Sequence, residues 1–179
     1  MDDKFIVTMV GRITQLKDLE TFIEAIGILS AKIPNVAGLI VGGVRDDKRK
    51  YFGSLKTLVK TLKLEDHIVF AGSQSKVAEI YALSDVVVSS SKKPESFGRS
   101  VAEALALNTA VVATDHGGVL DIITEAENGF FYPAGESRIL AEYIEKCRGL
   151  EFDGYGYISE HFSLEQMVDK TLQVYEEAA

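Results

Sequence analysis

Two glutamates bracket a glycine-containing segment in the middle of the sequence. Glu95 stands in the run Pro-Glu-Ser-Phe-Gly, and Glu103 follows eight residues later inside a stretch that is otherwise apolar. Because Glu103 is the only charged residue between Arg99 and Asp115, we expect its carboxylate to be buried. Burial of a carboxylate is costly unless hydrogen-bond donors or a ligand meet it. The pair therefore predicts a site for a ligand that carries hydroxyl groups.

The residues between the two glutamates predict the beginning of a helix. Pro94 disfavours helical geometry at the residue before it, so the loop stays extended up to the first glutamate. Ser96 can then cap the helix, and the free amides around Phe97 to Arg99 would form a site for an anion. Gly98 would allow a ligand to approach the backbone closely. The structural alternative is that the first glutamate favours the helix dipole and the second pairs with a donor in the core.

A second polar cluster follows the first apolar run of the chain. Gly11 ends that run, and Arg12 and Lys17 flank the loop after it. Two cations at the carboxyl end of a strand can clamp a diphosphate, although such a pair is more often solvated surface. The pair Gly117-Gly118 opens another loop after an apolar run. Its amides could contact the same ligand, but a tight turn between strand and helix would need the same glycines.

Short apolar runs alternate with longer amphipathic segments along the chain. Runs rich in Val and Ile without alternation are typical of strands that are buried on both faces of a parallel sheet. They predict strands at 5–10, 36–41, 67–70, 86–88, 110–113 and 130–132. Helical spacing predicts helices at 19–29 (with Asp18 as N-cap), 52–62, 77–83, 99–107, 120–124, 139–147 and 164–175, with a surface connection over 149–157. The fold class is α/β: a Rossmann-like three-layer α/β/α sandwich with a six-stranded parallel sheet, in one domain over residues 1–179.

A fold of this class binds ligands outside the carboxyl ends of its strands. The loops to consider for a site are therefore those after Val10, Val41, Phe70, Ser89 and Ala113. Both polar clusters described above lie in such loops, so we expect them at the same edge of the sheet.

The composition disfavours several other classes of protein. A net charge of −8 and a pI near 4.9 argue against non-specific binding of nucleic acid, which needs a cationic surface. The single cysteine, Cys147, rules out an internal disulfide framework and a cysteine-rich metal site. The sequence shows neither a signal-peptide pattern nor an apolar run long enough to be a transmembrane segment. We therefore expect a cytoplasmic location, with the inner face of the membrane as the alternative for a full-length enzyme.

Taken in order, these motifs resemble the donor-binding C-terminal half of glycosyltransferase family 4 (group 1), which comprises retaining enzymes of GT-B architecture. The spacing of Glu95 and Glu103 matches the Glu-x7-Glu motif of that family. The other matching segments are Gly11-Arg12 with Lys17, Val41-Gly42-Gly43, Phe70-Ala71-Gly72, Gly117-Gly118 and Asn128 to Pro133. Each segment is weak alone, but the ordered set is specific. The resemblance implies that the sheet is one half of a GT-B fold.

The resemblance implies roles for the residues around the sugar and the nucleoside of a donor. Glu95 would hold hydroxyls of the transferred sugar, beside the backbone amides of Phe97 and Gly98. Glu103 would hold the ribose. The loop after the third strand would lie beside the nucleobase through Gly72, Ser73 and Gln74.

The resemblance also implies how the diphosphate is held. Arg12 and Lys17, next to Gly11, would bind it and stabilise charge on the leaving group as the glycosidic bond breaks. Arg99 stands where the family often has Leu, and it could reach the phosphates or the first glutamate. In this scheme the two cations replace a metal ion, so we expect no metal and no cofactor. The donor itself would be a UDP- or GDP-linked sugar.

A GT-B enzyme has two domains with the active site between them, whereas this sequence predicts one and begins almost directly with a strand. We expect a fragment that binds a nucleotide sugar but is inactive without the N-terminal domain of the same parent enzyme. That domain would bind the acceptor, a glycan or lipid-linked sugar of polysaccharide biosynthesis. The alternatives are a non-catalytic nucleotide-sugar-binding or regulatory half-module and a fragment of a GT-B-type nucleotide-sugar epimerase. A dehydrogenase is disfavoured because the first strand lacks a Gly-x-Gly-x-x-Gly turn.

Besides Arg99, three segments depart from the usual pattern of the family: Asp18, Lys92-Lys93 and Asn108-Thr109, the last of which stands where Gly-x-Pro is common. Asp18 follows Lys17 where the family often has glycine, which is expected to alter how the loop approaches phosphate. The run Lys92-Lys93 before Pro94 is more basic than usual, and it either contacts an anionic sugar or is simply solvated.

Overall fold

The computed structural model describes residues 3–177, and its centre is one sheet of six parallel strands. The strands are β1 Phe5–Val10, β2 Val36–Val41, β3 Ile68–Gly72, β4 Val86–Ser89, β5 Ala110–Thr114 and β6 Gly129–Tyr132. Their order across the sheet is β3-β2-β1-β4-β5-β6, and every neighbouring pair is parallel. The six strands predicted from the sequence are confirmed, with small shifts at their ends.

Helices cover both faces of this sheet. They are α1 Leu19–Ser30, α2 Arg49–Thr61, α3 Val77–Ala82, α4 Arg99–Leu105, α5 Ser137–Lys146, α6 Gly154–Phe162 and α7 Leu164–Glu177. Apolar residues of α1, α2 and α5 share one buried cluster with the sheet. Residues of α3, α4 and α6 belong to a second cluster on the other face. The predicted three-layer sandwich is therefore confirmed.

The central strands show why consecutive valines suit this position. Val86 and Val88 of β4 belong to the first apolar cluster, whereas Val87 belongs to the second. Successive side chains of a strand point to opposite faces, so a strand that is covered on both faces needs an apolar residue at every position.

The strand order places a switch point between β1 and β4. From β1 the sheet continues through β2 to β3, whereas from β4 it continues in the opposite direction through β5 to β6. The loops that follow two such adjacent strands run in opposite directions, and a crevice therefore opens between them at the carboxyl ends of the strands. The loop after β1 and the loop after β4, which carry the two predicted polar clusters, meet at this crevice.

The sequence prediction is wrong in two places after β5. The predicted helix at 120–124 is a single 3-10 turn at Gly118–Asp121. The predicted surface connection over 149–157 is helical in its second half, because α6 begins at Gly154. Asp153 caps that helix by accepting from the Gly156 amide at 2.8 Å, and Asn108 accepts from the Gly154 amide at 2.8 Å. These contacts outweigh the low helix propensity of a segment with two glycines.

Across residues 3–177, no helix combines the length and the apolar character that crossing a bilayer requires.

Candidate functional site

The crevice at the switch point contains a cavity of about 670 Å³. Its walls come from the loop after β1, from the loop after β4 with the start of α4, and from α3. The lining residues are Val10, Gly11, Arg12, Lys17, Val77, Tyr81, Glu95, Ser96, Phe97, Gly98, Arg99, Ser100 and Glu103. The tertiary structure therefore brings together every predicted site residue except Gly72, Ser73 and Gln74.

Lys17 and Glu95 form an ion pair across the crevice. The Lys17 Nζ contacts Oε1 of Glu95, and the hydroxyl of Ser91 donates to the same oxygen. The two side chains of the pair are 26% and 27% exposed. The cation of one loop is thus held directly against the carboxylate of the other.

The surroundings of Glu95 keep its carboxylate ionised. Burial raises the pKa of Glu95, but the hydrogen bonds from Lys17 and Ser91 and the charges of Lys17 and His116 outweigh burial, so the pKa lies below its ordinary value. An ionised carboxylate can only accept hydrogen bonds. Glu95 is therefore suited to bind ligand hydroxyls.

The loop that carries Glu95 is braced from the end of β5. Nε2 of His116 lies 2.8 Å from the Ser91 carbonyl oxygen, and the ring must be the donor because a carbonyl only accepts. Thr114 donates its hydroxyl to the same oxygen at 3.2 Å. The half-buried His116 therefore holds the backbone at Ser91, four residues before Glu95.

The glycine pair after β5 allows two backbones to touch. The Gly118 amide donates to the Glu95 carbonyl at 2.8 Å. Gly117 has a φ of 80°, and a Cβ there would lie 2.7 Å from the backbone nitrogen and oxygen of Glu95. Because the Gly118 amide is already bonded within the protein, the glycine pair supports the loop of Glu95, a role that neither sequence interpretation of the pair included.

The start of α4 differs from the prediction. Ser96 was expected to cap the helix, and this is wrong: the N-cap is Gly98, and no side chain accepts a hydrogen bond there. The φ of Gly98 is 95°, a conformation that side chains disfavour, and a Cβ would lie 2.6 Å from Cγ1 of Val119. Both the backbone conformation and the lack of room for a Cβ therefore favour glycine. Ser96 and Phe97 are exposed residues of the cavity wall.

Glu103 was expected to be buried, and this is also wrong. The side chain is exposed, whereas its neighbours Val101, Ala102, Ala104 and Leu105 are buried. Because successive residues of a helix point in different directions, apolar neighbours in sequence do not surround a side chain in space. Glu103 instead faces the cavity, where it needs no internal counterion.

Tyr81 of α3 is the protein partner of Glu103. Its hydroxyl donates to Oε2 of Glu103 at 3.1 Å, and the residue is only 1% exposed. Burial raises the pKa of Tyr81, and the charge of Glu103 raises it further. The phenol therefore stays protonated and keeps one carboxylate oxygen oriented.

The two arginines of the cavity are exposed. Arg12 and Arg99 form no ion pair within residues 3–177. A guanidinium presents five N–H donors in a planar fork, which suits phosphate and carboxylate groups. Both side chains are thus free to bind an anion in the cavity.

Gly72, Ser73 and Gln74 are exposed and lie outside the cavity lining. Gly72 accepts from the Gly42 amide at 2.8 Å, and Gln74 donates to the Ala71 carbonyl at 2.7 Å. They follow β3, which is separated from β1 by β2. They share the sheet edge with the cavity, as predicted, but their contact with a nucleobase stays a prediction.

The sequence reasoning missed two polar residues of the site. Tyr81 falls only within the predicted helix at 77–83, and Ser91 only within the loop after Ser89. The serines carried a usable signal, because Ser89, Ser90 and Ser91 directly follow the predicted strand at 86–88, and the structure buries all three. A buried hydroxyl requires a hydrogen-bond partner.

No three side chains of His, Cys, Asp or Glu are grouped so as to hold a metal ion in the part of the chain that the structure describes. The expectation that Arg12 and Lys17 replace a metal stays a prediction.

The sheet order and the cavity define a class of protein. An open parallel sheet of this order is a Rossmann-like domain. At its switch point, cations lie on the loop after β1, and carboxylates lie on the loop after β4 and on α4. Its site suits a ligand with both anionic and hydroxyl groups. Comparison with known families then identifies the family itself. The model of the family "Glycosyl transferases group 1" matches residues 1–148, so the chain belongs to that family.

Individual relatives and solved structures agree with this assignment. EpsD of Bacillus subtilis (strain 168) is 32% identical over 178 residues, which cover 94% of this chain and 45% of EpsD. The crystal structure of Anabaena HepE in complex with UDP matches with a TM-score of 0.87 and 27% identity, over 96% of this chain and 49% of HepE. The C-terminal domain of the group 1 family protein LpcC from Francisella tularensis matches with a TM-score of 0.80 and 25% identity, over 89% of this chain and 87% of that domain.

The share of each relative that the chain covers is also informative. The chain spans about half the length of EpsD and of HepE. The predicted family and the predicted fold, a Rossmann-like half of the GT-B architecture, are confirmed.

Proposed function

We propose that this chain, as a single domain over residues 1–179, is the donor-binding half of a retaining glycosyltransferase. The full enzyme would move a hexose-type sugar from a nucleoside diphosphate sugar to a glycan or lipid acceptor. The observation that carries the proposal is the Lys17–Glu95 pair at the switch point, in one cavity with Arg12 and Glu103. The HepE structures support it, because they were determined in complex with UDP and with UDP-glucose.

The cations would hold the diphosphate and assist bond cleavage. When the bond between the anomeric carbon and the diphosphate oxygen breaks, the electron pair stays on the diphosphate. Arg12 and Lys17 would stabilise the added negative charge, which is electrostatic catalysis by groups that are already in position. The scheme requires no metal ion for this step.

The carboxylates would hold the two polyol parts of the donor. Glu95, with its lowered pKa, would accept hydrogen bonds from the transferred sugar. Glu103 would accept from both ribose hydroxyls, with one oxygen oriented by Tyr81. Glu95 is then the carboxylate nearer to the chemistry, because it lies beside the phosphate-binding lysine.

The acceptor would be bound by a part of the enzyme that this chain does not contain. The chain spans about half of its relatives, and its cavity is built from one sheet edge. We therefore expect the isolated chain to bind the donor and to transfer nothing by itself. Transfer of sugar by the isolated chain at the rate of a complete enzyme would contradict this part of the proposal.

A melting screen with UDP, GDP, ADP and their sugars tests the proposal. A ligand that binds only the folded chain stabilises it by RT ln(1 + [L]/Kd), so the cognate nucleotide should raise the melting midpoint. Arg12→Ala should reduce the shift, whereas Arg138→Ala, an exposed arginine of α5 outside this cavity, should not. The absence of a shift with every nucleotide at millimolar concentration would refute the proposed function.

A further inference from the structure

Asp18 lies between the loop after β1 and helix α1 in a left-handed conformation, which is uncommon for residues other than glycine. Its φ is 48° and its ψ is 52°, in the left-handed region, and its side chain is only 2% exposed. A carboxylate buried this deeply needs partners. Thr21 donates to Oδ2 at 2.7 Å, and Nζ of Lys92 lies 3.0 Å from Oδ1. Asp18 holds the predicted N-cap position, but its side chain caps no backbone amide.

Lys92, the cation that pairs with Asp18, belongs to the loop after β4. Its backbone amide donates to the Leu16 carbonyl at 2.8 Å, and the hydroxyl of Ser90 donates to the Lys17 carbonyl at 2.8 Å. With the ion pair to Asp18, three consecutive residues of the first loop are each fastened to the second loop. The pair is the only one of these three links that is made by two side chains.

The fastened segments are those that carry the charged residues of the cavity. Lys17 directly precedes Asp18, and Glu95 follows three residues after Lys92. Neither Asp18 nor Lys92 lines the cavity itself. Two of the departures from the family pattern, Asp18 and Lys92, therefore contact each other, although the Lys92 side chain is still 49% exposed.

We infer that Asp18 and Lys92 are positioning residues. Their ion pair fastens the loop of Lys17 to the loop of Glu95, and so sets where the phosphate-binding cation stands relative to the sugar-binding carboxylate. The ligand part of this inference rests on the proposed function, whereas the coupling of the two loops does not. Loss of the pair leaves the Asp18 carboxylate buried without a counterion, so the first loop must move to hydrate it.

The test compares Lys92→Met with Lys93→Met. Lys93 is the next residue of the loop, is exposed and forms no ion pair within the described range 3–177, so its loss changes the net charge equally. Titration calorimetry with UDP, well below each melting midpoint, should show affinity about fivefold to tenfold lower for Lys92→Met, because small displacements of site groups are expensive. Lys93→Met and the conservative Lys92→Arg should stay within about twofold of the original chain, since both retain the Asp18 partner.

A readout without ligand separates this inference from the proposed function. Amide hydrogen exchange in residues 15–18, far in sequence from the substitution, should become faster in Lys92→Met and not in Lys93→Met. If the original chain binds none of UDP, GDP and ADP, the proposed function fails, and the exchange measurement still decides the loop coupling. Unchanged exchange overturns the inference, and so does faster exchange with unchanged UDP affinity, because the pair would then be only a structural link.

Discussion

The two glutamates of the cavity share a residue type and a motif but have different environments. Glu95 lies on a loop that is braced from β5, and its carboxylate accepts from Lys17 and Ser91. Glu103 lies on α4, is exposed, and accepts from the single phenol of Tyr81. The comparison teaches that the spacing of a motif places two carboxylates in one cavity, while the surrounding loops decide how many protein donors each carboxylate already has.

The largest effect on ligand affinity is expected from Glu103, the glutamate with fewer protein partners. Glu103→Ala should weaken UDP binding about tenfold to hundredfold, because a hydrogen bond to a charged group contributes about 1.5–3 kcal/mol. Titration calorimetry with UDP and 2′-deoxy-UDP measures this directly. The original chain should prefer UDP, and the variant should lose that preference. A variant that still prefers the ribose form would show that Glu103 does not hold the ribose.

Substitution of Glu95, which already pairs with Lys17, should have the opposite effect on the affinity for a nucleotide without a sugar. Glu95→Gln releases the Lys17 ammonium from its counterion, so UDP should bind about threefold to tenfold more tightly, while the additional affinity for the sugar moiety of UDP-glucose should fall. The measurement is the ratio of the two dissociation constants in the variant and in the original chain. Equal losses of UDP affinity from Glu95→Gln and Glu103→Ala would refute the division of labour between the two carboxylates.

A smaller effect is expected from the phenol that orients Glu103. Tyr81→Phe should weaken UDP binding about threefold, because it removes one hydrogen bond and leaves an exposed carboxylate that water can solvate. The effect should disappear in a Glu103→Ala background. An undiminished effect in that background would mean that Tyr81 acts on the ligand directly or through packing.

The smallest effect is the acid dependence of folding that comes from Glu95. Its pKa in the folded chain lies below the ordinary value of 4.5, so the stability it contributes is present above that value and is lost as the pH falls through the lower folded pKa. The difference in unfolding free energy between the original chain and Glu95→Gln should therefore be constant near neutral pH and shrink at pH values below 4.5. Urea unfolding at several pH values measures it. In a Lys17→Met background this dependence should be much weaker, and its persistence there would assign the lowered pKa to other groups.

Much of the fold could be read from the sequence because the signal was local. A strand covered on both faces needs an apolar residue at every position, and the run Val86 to Val88 shows this directly. The failures have a common cause. The helix that begins at Gly154 has a local cap in Asp153, but it also depends on Asn108, which is distant in sequence and accepts from the Gly154 amide, and no local pattern announces that second contact. The exposure of Glu103 depends on which face of α4 meets the crevice, and that is decided by the helices packed around it.

The sequence by itself determined the residue types of the site, their order along the chain and the edge of the sheet at which they meet. Apolar periodicity defines the strands, and parallel strands present their following loops at one edge. Only the tertiary structure decided the partners: Lys17 with Glu95, Tyr81 with Glu103, and Asp18 with Lys92. The physical reason is range. Helix and strand propensity depend on neighbours within a few residues, whereas each of these contacts joins segments that lie far apart in sequence and meet only when the sheet has formed.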